Sequence, residues 1–175
     1  MRQKHTLLIT VFFLAFFVAQ KCQADFNVRD FGAKGDLKTN DQPAIQKAVE
    51  SCNAAGGGTV HFPAGKYLSG TIRLRNNVTL HLDAGATLFA STSPKDYERS
   101  GRGNLLFAND AQNIAVVGQG TIHGQGTGDL GRGRGPKEMP SFRTGILLFE
   151  NCRDVTIRDV KFLYSCLLYT SDAAD

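Results

Sequence analysis

Between Asp41 and Ala55 the apolar residues Ile45, Ala48, Val49 and Cys52 recur every three or four positions. That period puts them on one face of a helix. Asn40 and Asp41 offer N-cap side chains, Pro43 stands in the first turn where its missing N–H costs nothing, and Gly56 ends the run. Beyond the helix the period falls to two. Thr59–Phe62, Thr71–Leu74 and Val78–Leu82 alternate apolar and polar residues and stop at Pro63, Asn76-Asn77 and Asp83-Ala84-Gly85. Further short segments follow at Asn104–Ala108, Ile114–Val117, Thr121-Ile122, Gly145–Phe149, Val155–Arg158 and Val160–Tyr164. They are rich in β-branched residues and closed by Gly, Asn or Asp, which predicts strands joined by tight turns.

The strands also repeat. LLFANDAQNIAVV, from Leu105 to Val117, is matched by LLFENCRDVTIRDV, from Leu147 to Val160, and Arg73–Val78 is a tighter copy. Each unit is a strand, an Asn, a brief polar turn, an Asn or Asp, and a β-branched residue opening the next strand. Coils stacked into a solenoid produce this pattern, because each unit buries its apolar side chains against the next. A β-sandwich also carries many short strands, and periodicity alone leaves both architectures open.

The two ends differ from this body. Arg2, Lys4 and His5 precede an uncharged apolar run, Leu7–Ala19, and then Cys22-Gln23-Ala24. The run is shorter than the roughly 20 residues that span a bilayer, so residues 1–24 are expected to be a signal peptide cleaved after Ala24. Lys21 stands where lipidation of Cys22 would want a small residue. The expected destination is secreted or periplasmic, with no membrane attachment after cleavage. At the other end Cys166–Asp175, CLLYTSDAAD, breaks the alternation and resembles a translated transposon adapter from sequencing-library preparation. Residues 166–175 are therefore expected to be read-through, and the fold to be truncated at its C-terminus.

Residues 25–165 carry 17 basic side chains (20 less Arg2, Lys4 and Lys21) and 14 acidic ones (16 less Asp172 and Asp175). This mild positive balance does not indicate a nucleic-acid partner. Cys52 and Cys152 do not make a disulfide framework, and Cys52 reads as a core residue.

Gly126, Gly128 and Gly131 satisfy G-x-G-x-x-G, but Arg132-Gly133-Arg134-Gly135-Pro136 follows. No helix can start there to meet a pyrophosphate, so the match is coincidental. Gly118–Gly126 reads as turn, strand and turn of a coil, and Thr127–Ser141 as an excursion from it. Arg132, Arg134, Lys137 and Arg143, with Arg99 and Arg102 of an earlier excursion, could face an anionic polysaccharide. The alternative for this loop is a merely solvated surface. His61 and His81 alternate with apolar residues and are expected on the solvent side. No two histidines have metal-ligand spacing, so no metal site is expected. Asp154 and Asp159 read as surface charges.

The run from Phe26 to Leu88 resembles the N-terminal part of pectin-degrading right-handed parallel β-helix enzymes, nearest to the polygalacturonases of glycoside hydrolase family 28. The similarity is carried by Asp30-Phe31-Gly32-Ala33 with Gly35-Asp36, by the helix, and by Gly56-Gly57-Gly58-Thr59-Val60 leading to Phe62-Pro63-Ala64-Gly65. It continues in Asn77-Val78-Thr79-Leu80 and in Gly120-Thr121-Ile122-His123-Gly124-Gln125-Gly126, where relatives usually have Asp in place of His123. The resemblance implies an all-β, right-handed parallel β-helix over residues 25–165, with the helix as an N-terminal cap. It also implies an exported glycosidase acting on pectic polysaccharide without a cofactor.

In the resembling hydrolases the catalysts are three aspartates, one in Asn-Thr-Asp and two in tandem, followed by Gly-His-Gly and Arg-x-Lys. They activate water on one face of the sugar and protonate the leaving oxygen on the other, with carboxyls roughly 6.5–9.5 Å apart. None of these strings occurs between Asp25 and Ser165. The catalytic residues are therefore expected C-terminal to Ser165, leaving these residues without catalysts of their own. A pectate-lyase-like enzyme and a non-catalytic β-helix adhesin remain the alternatives.

Overall fold

The computed structural model describes residues 24–97, 102–125 and 143–164. Its strands form three parallel sheets, visited in turn by successive coils. The first sheet stacks β1 (Ala24–Asn27), β3 (Gly58–Phe62), β6 (Val78–Leu82), β9 (Gln112–Gly118) and β12 (Arg153–Arg158). The second stacks β2 (Asp36–Asn40), β4 (Gly65–Ser69), β7 (Ala86–Ala90), β10 (Thr121–His123) and β13 (Lys161–Leu163). The third holds β5 (Ile72–Arg73), β8 (Arg102–Asn109) and β11 (Arg143–Glu150). This is a parallel β-helix, the solenoid that the repeats predict.

Alternation alone gives no strand at Asp36–Asn40, Gly65–Ser69 or Ala86–Ala90, yet these build the second sheet. Ala64-Gly65 and Ala84-Gly85 end one strand only to redirect the chain into another. Register is set by burial. Val60, Leu80 and Val116 occupy one buried inward rung of the first sheet, and Tyr67, Leu88 and Ile122 one of the second; Ile157 and Phe162 continue these rungs on the last described coil, where they are exposed. A one-residue slip would turn every one of these side chains to the opposite face. The paired repeat is itself one residue out of phase with its letters, because Leu147 pairs with Leu106 rather than Leu105.

The recurrent Asn or Asp at the start of β6, β9 and β12 has a conformational cause. Asn77, Asn113 and Asp154 have φ of 59°, 53° and 53°, the left-handed region that Asn and Asp tolerate best among residues with a side chain. They stack at one corner, where the Asn113 amide donates to Asn77 Oδ1 at 3.0 Å. One coil earlier the same position is Gly57, with φ of 114°.

Helix α1 (Gln42–Ala54) buries Ile45, Ala48, Val49 and Cys52, the predicted face. Its start differs from the prediction. Asp41 makes no side-chain cap bond to the helix. It is buried, and its carboxylate accepts from Lys34 N–H at 2.8 Å and Gly35 N–H at 3.0 Å. Asn40 Oδ1 takes the Gln42 N–H instead, at 3.0 Å. The helix also satisfies the backbone edge of β5. The Gln46 amide accepts from Arg73 N–H at 2.8 Å and donates to Arg73 O at 3.1 Å, while Gln42 donates to Thr71 O. An edge covered in this way is closed to pairing with another chain.

Asp36 illustrates how a turn sets a titration. Its carboxylate accepts N–H bonds from Thr39 (2.8 Å) and Lys38 (2.9 Å) and the Thr39 hydroxyl (3.0 Å). These bonds stabilise the charged form and lower its pKa to about 2. A pKa depressed on folding adds stability at pH above the unfolded value, and that contribution is lost as pH falls through about 2. An NMR titration should place the Asp36 midpoint near 2. A midpoint at the ordinary aspartate value of about 3.9 would show that the turn is open in solution.

Candidate functional site

Strands β3 and β6 point Val60, Phe62, Leu80 and Leu82 inward, so His61 and His81 must point outward. The parallel register pairs His61 directly with His81. Asp83 follows His81 by two residues and is held over the previous coil by its N–H bond to Phe62 O, 3.1 Å. The three side chains meet. His61 Nε2 lies 2.7 Å from Asp83 Oδ1 and His81 Nδ1 lies 3.5 Å from the same oxygen. The imidazole rings are 5.5 Å apart and tilted by 42°. Their solvent side was predictable from alternation. Their convergence was not, because the spacing that matters is one coil, 20 residues, rather than the short intervals of local ligand motifs. No two histidines stand at a local ligand spacing in the sequence; this pair meets only across one coil.

The next rungs above His81 are Val117 and Arg158. Together with Asp83, Gly118, Gln119 and Asp159 they border a groove of about 400 Å³ beside the histidines. Asp159 is exposed with φ of 64° and pairs with Arg158 at 3.1 Å. Asp154 is likewise exposed, at its left-handed corner. Asp154 lies within β12 and Asp159 directly after it, both as exposed surface charges.

On the second sheet, Leu68, Phe89, His123 and Leu163 share the outward rung. The His123 ring lies between Phe89 and Tyr164, with centroids 4.9 and 4.8 Å away. Its Nδ1 accepts the Gln125 N–H at 3.1 Å. Where relatives usually have Asp, this chain thus has a flat ring in a short aromatic stack.

Of the basic residues expected on the excursions, Arg99, Arg132, Arg134 and Lys137 lie outside the described residues. Arg102 and Arg143 open β8 and β11 and occupy one register position on adjacent coils. Cys52 is a buried free thiol in α1, and Cys152 is a free thiol whose Sγ meets Glu150 O at 3.3 Å. Elsewhere Glu50 accepts from the Arg75 guanidinium at 2.9 Å, which holds its carboxyl below the usual range and ties α1 to the turn after β5. Among the described residues no helix is long and apolar enough to cross a membrane.

Comparison with known proteins fits this geometry. The profile of the family described as rhamnogalacturonase A/epimerase, pectate lyase-like, matches residues 26–166. An exo-poly-alpha-D-galacturonosidase of Dickeya chrysanthemi is 35% identical over 118 residues, covering 57% of this chain and 19% of the relative. A mannuronan C5-epimerase of Azotobacter vinelandii is 35% identical over 102 residues, covering 53% of this chain and 7% of the relative. Among solved structures, the family 28 exopolygalacturonase of Yersinia enterocolitica superposes with a TM-score of 0.64 at 28% identity, covering 79% of this chain and 34% of that one. The chain spans less than a fifth of either curated relative and about a third of the solved structure.

Proposed function

Since the chain belongs to the rhamnogalacturonase A/epimerase, pectate lyase-like family, we propose that its protein is an exported hydrolase of galacturonosyl linkages in pectic polysaccharide. The observation that carries this reading is the family match over residues 26–166, on described coils that stack in parallel, together with the 35% identity to a galacturonosidase. In this reading residues 1–24 direct export, α1 caps the solenoid, and the described coils act as scaffold. The acid and the water-activating carboxylates stand on coils C-terminal to Ser165. Arg102 and Arg143, register partners on adjacent strands, are the basic residues this reading assigns to an anionic uronate chain. The reaction needs no cofactor, since protonation of the leaving oxygen and activation of water are both carboxylate tasks.

A second reading, uronate epimerisation, is favoured by the mannuronan C5-epimerase match. Incubation with homogalacturonan and with mannuronan separates the two. The full gene product should release new reducing ends from homogalacturonan without forming unsaturated uronate. Unsaturated ends would instead indicate a lyase, and C5 inversion in mannuronan at constant chain length an epimerase. Residues 25–165 alone should do none of these; turnover by that piece would overturn the placement of the catalytic carboxylates.

A further inference from the structure

We propose that His61, His81 and Asp83 form a binding site for a divalent transition metal of the zinc class, bridging two consecutive coils. One donor atom from each lies within 4.8 Å of the other two. A tetrahedral ion with bonds of about 2.0–2.2 Å holds its ligands roughly 3.4 Å apart. The 2.7 Å His61–Asp83 contact would open and the widest spacing close, both by side-chain rotation, while the backbones stay where the ladder fixes them. Neutral imidazole nitrogens with one carboxylate suit zinc and its neighbours, whereas calcium and magnesium favour all-oxygen shells.

Each ligand position has a structural cause. His61 and His81 are register partners on adjacent parallel strands, so their Cα atoms sit about 4.8 Å apart. His81 and Asp83 are two residues apart on the same outward side, and the Asp83 backbone is tied to Phe62. The side chains retain 27%, 41% and 36% of their exposure, enough for an ion to enter from solvent. Three protein ligands leave a fourth position open, and a groove bordered by Gly118, Gln119 and Arg158 adjoins His81 and Asp83. Water or a carboxylate could complete the shell there. The proposal stands on these three side chains and not on the hydrolase reading; a binding measurement can fail while that reading holds, and the reverse.

Full-length chain stripped with a chelator should be titrated with zinc chloride against a chromophoric competitor. The unsubstituted chain should bind one equivalent. The H61N/H81N double variant should bind at least tenfold more weakly, since loss of even an outer partner of a metal ligand commonly costs 10–100-fold. Zinc should also raise the unfolding temperature of the unsubstituted chain, because it binds the folded state. That rise should be absent in D83N and preserved in H123N. Metal-free unfolding temperatures of all variants report on folding separately. Failure of the unsubstituted chain to bind zinc overturns the proposal. So does binding by a folded H61N/H81N variant with undiminished affinity.

Discussion

Ile45→Asp should leave the chain without a cooperative unfolding transition. Ile45 is fully buried on the inner face of α1, among Ala48, Val49 and Cys52. A carboxylate there would have no cation within its cluster. One helical turn earlier stands Asp41, itself buried and already engaged with Lys34 and Gly35 N–H groups. Like charges four residues apart on a helix repel. An unpaired buried ion costs several kcal/mol, against a total stability of about 5–15 kcal/mol for a domain. Removing residues 127–140 should be far milder, since every described strand survives. Thermal and urea unfolding of both variants, with size measured in parallel, checks the contrast. A cooperatively folded Ile45→Asp protein within a few degrees of the parent would contradict it.

Gly57→Ala should cost about 3 kcal/mol or more, although it adds one methyl group. The backbone at Gly57 has φ of 114°, where L side chains are strained by about 1–3 kcal/mol. A Cβ there would also overlap Asn77 Cβ and lie 2.5 Å from Asn77 O. That oxygen accepts the Gly58 N–H at 2.9 Å, so it cannot retreat without breaking a rung between coils. Asn113→Ala is the matched comparison. It loses one exposed side-chain bond and a residue type suited to φ of 53°, worth about 1 kcal/mol. Urea midpoints at constant slope give both values. If Gly57→Ala is no more harmful than Asn113→Ala, steric contact between coils is not what selects glycine here.

The sequence carries the rungs well and their meeting points poorly. Alternation at Thr59–Phe62 and Val78–Leu82 assigns inside and outside correctly, and the Asn or Asp before Val78, Ile114 and Val155 marks the corner of each coil. Both signals are local. Strands of five residues after Ala-Gly, such as Gly65–Ser69, are hidden because a turn that redirects a chain reads like one that ends a strand. Asp41 reads as a cap because its position relative to the helix is right; only the fold reveals the Lys34–Gly35 amides that claim it. The His61, His81 and Asp83 cluster depends on register between coils, which local periodicity does not specify. For the same reason Gln46 looks like an ordinary surface residue until β5 lies beside it.

The lengthening of successive coils has a kinetic side. Val60 meets Leu80 after 20 residues, Leu80 meets Val116 after 36, and Val116 meets Ile157 after 41. Each doubling of a closed loop costs only about 0.6 kcal/mol in chain entropy. The contact between β3 and β6 is therefore favoured over that between β9 and β12 by about a factor of three in closure probability alone. Assembly of the stack is thus biased to start beside α1, and the wider spacing of the later rungs adds only a small entropic penalty.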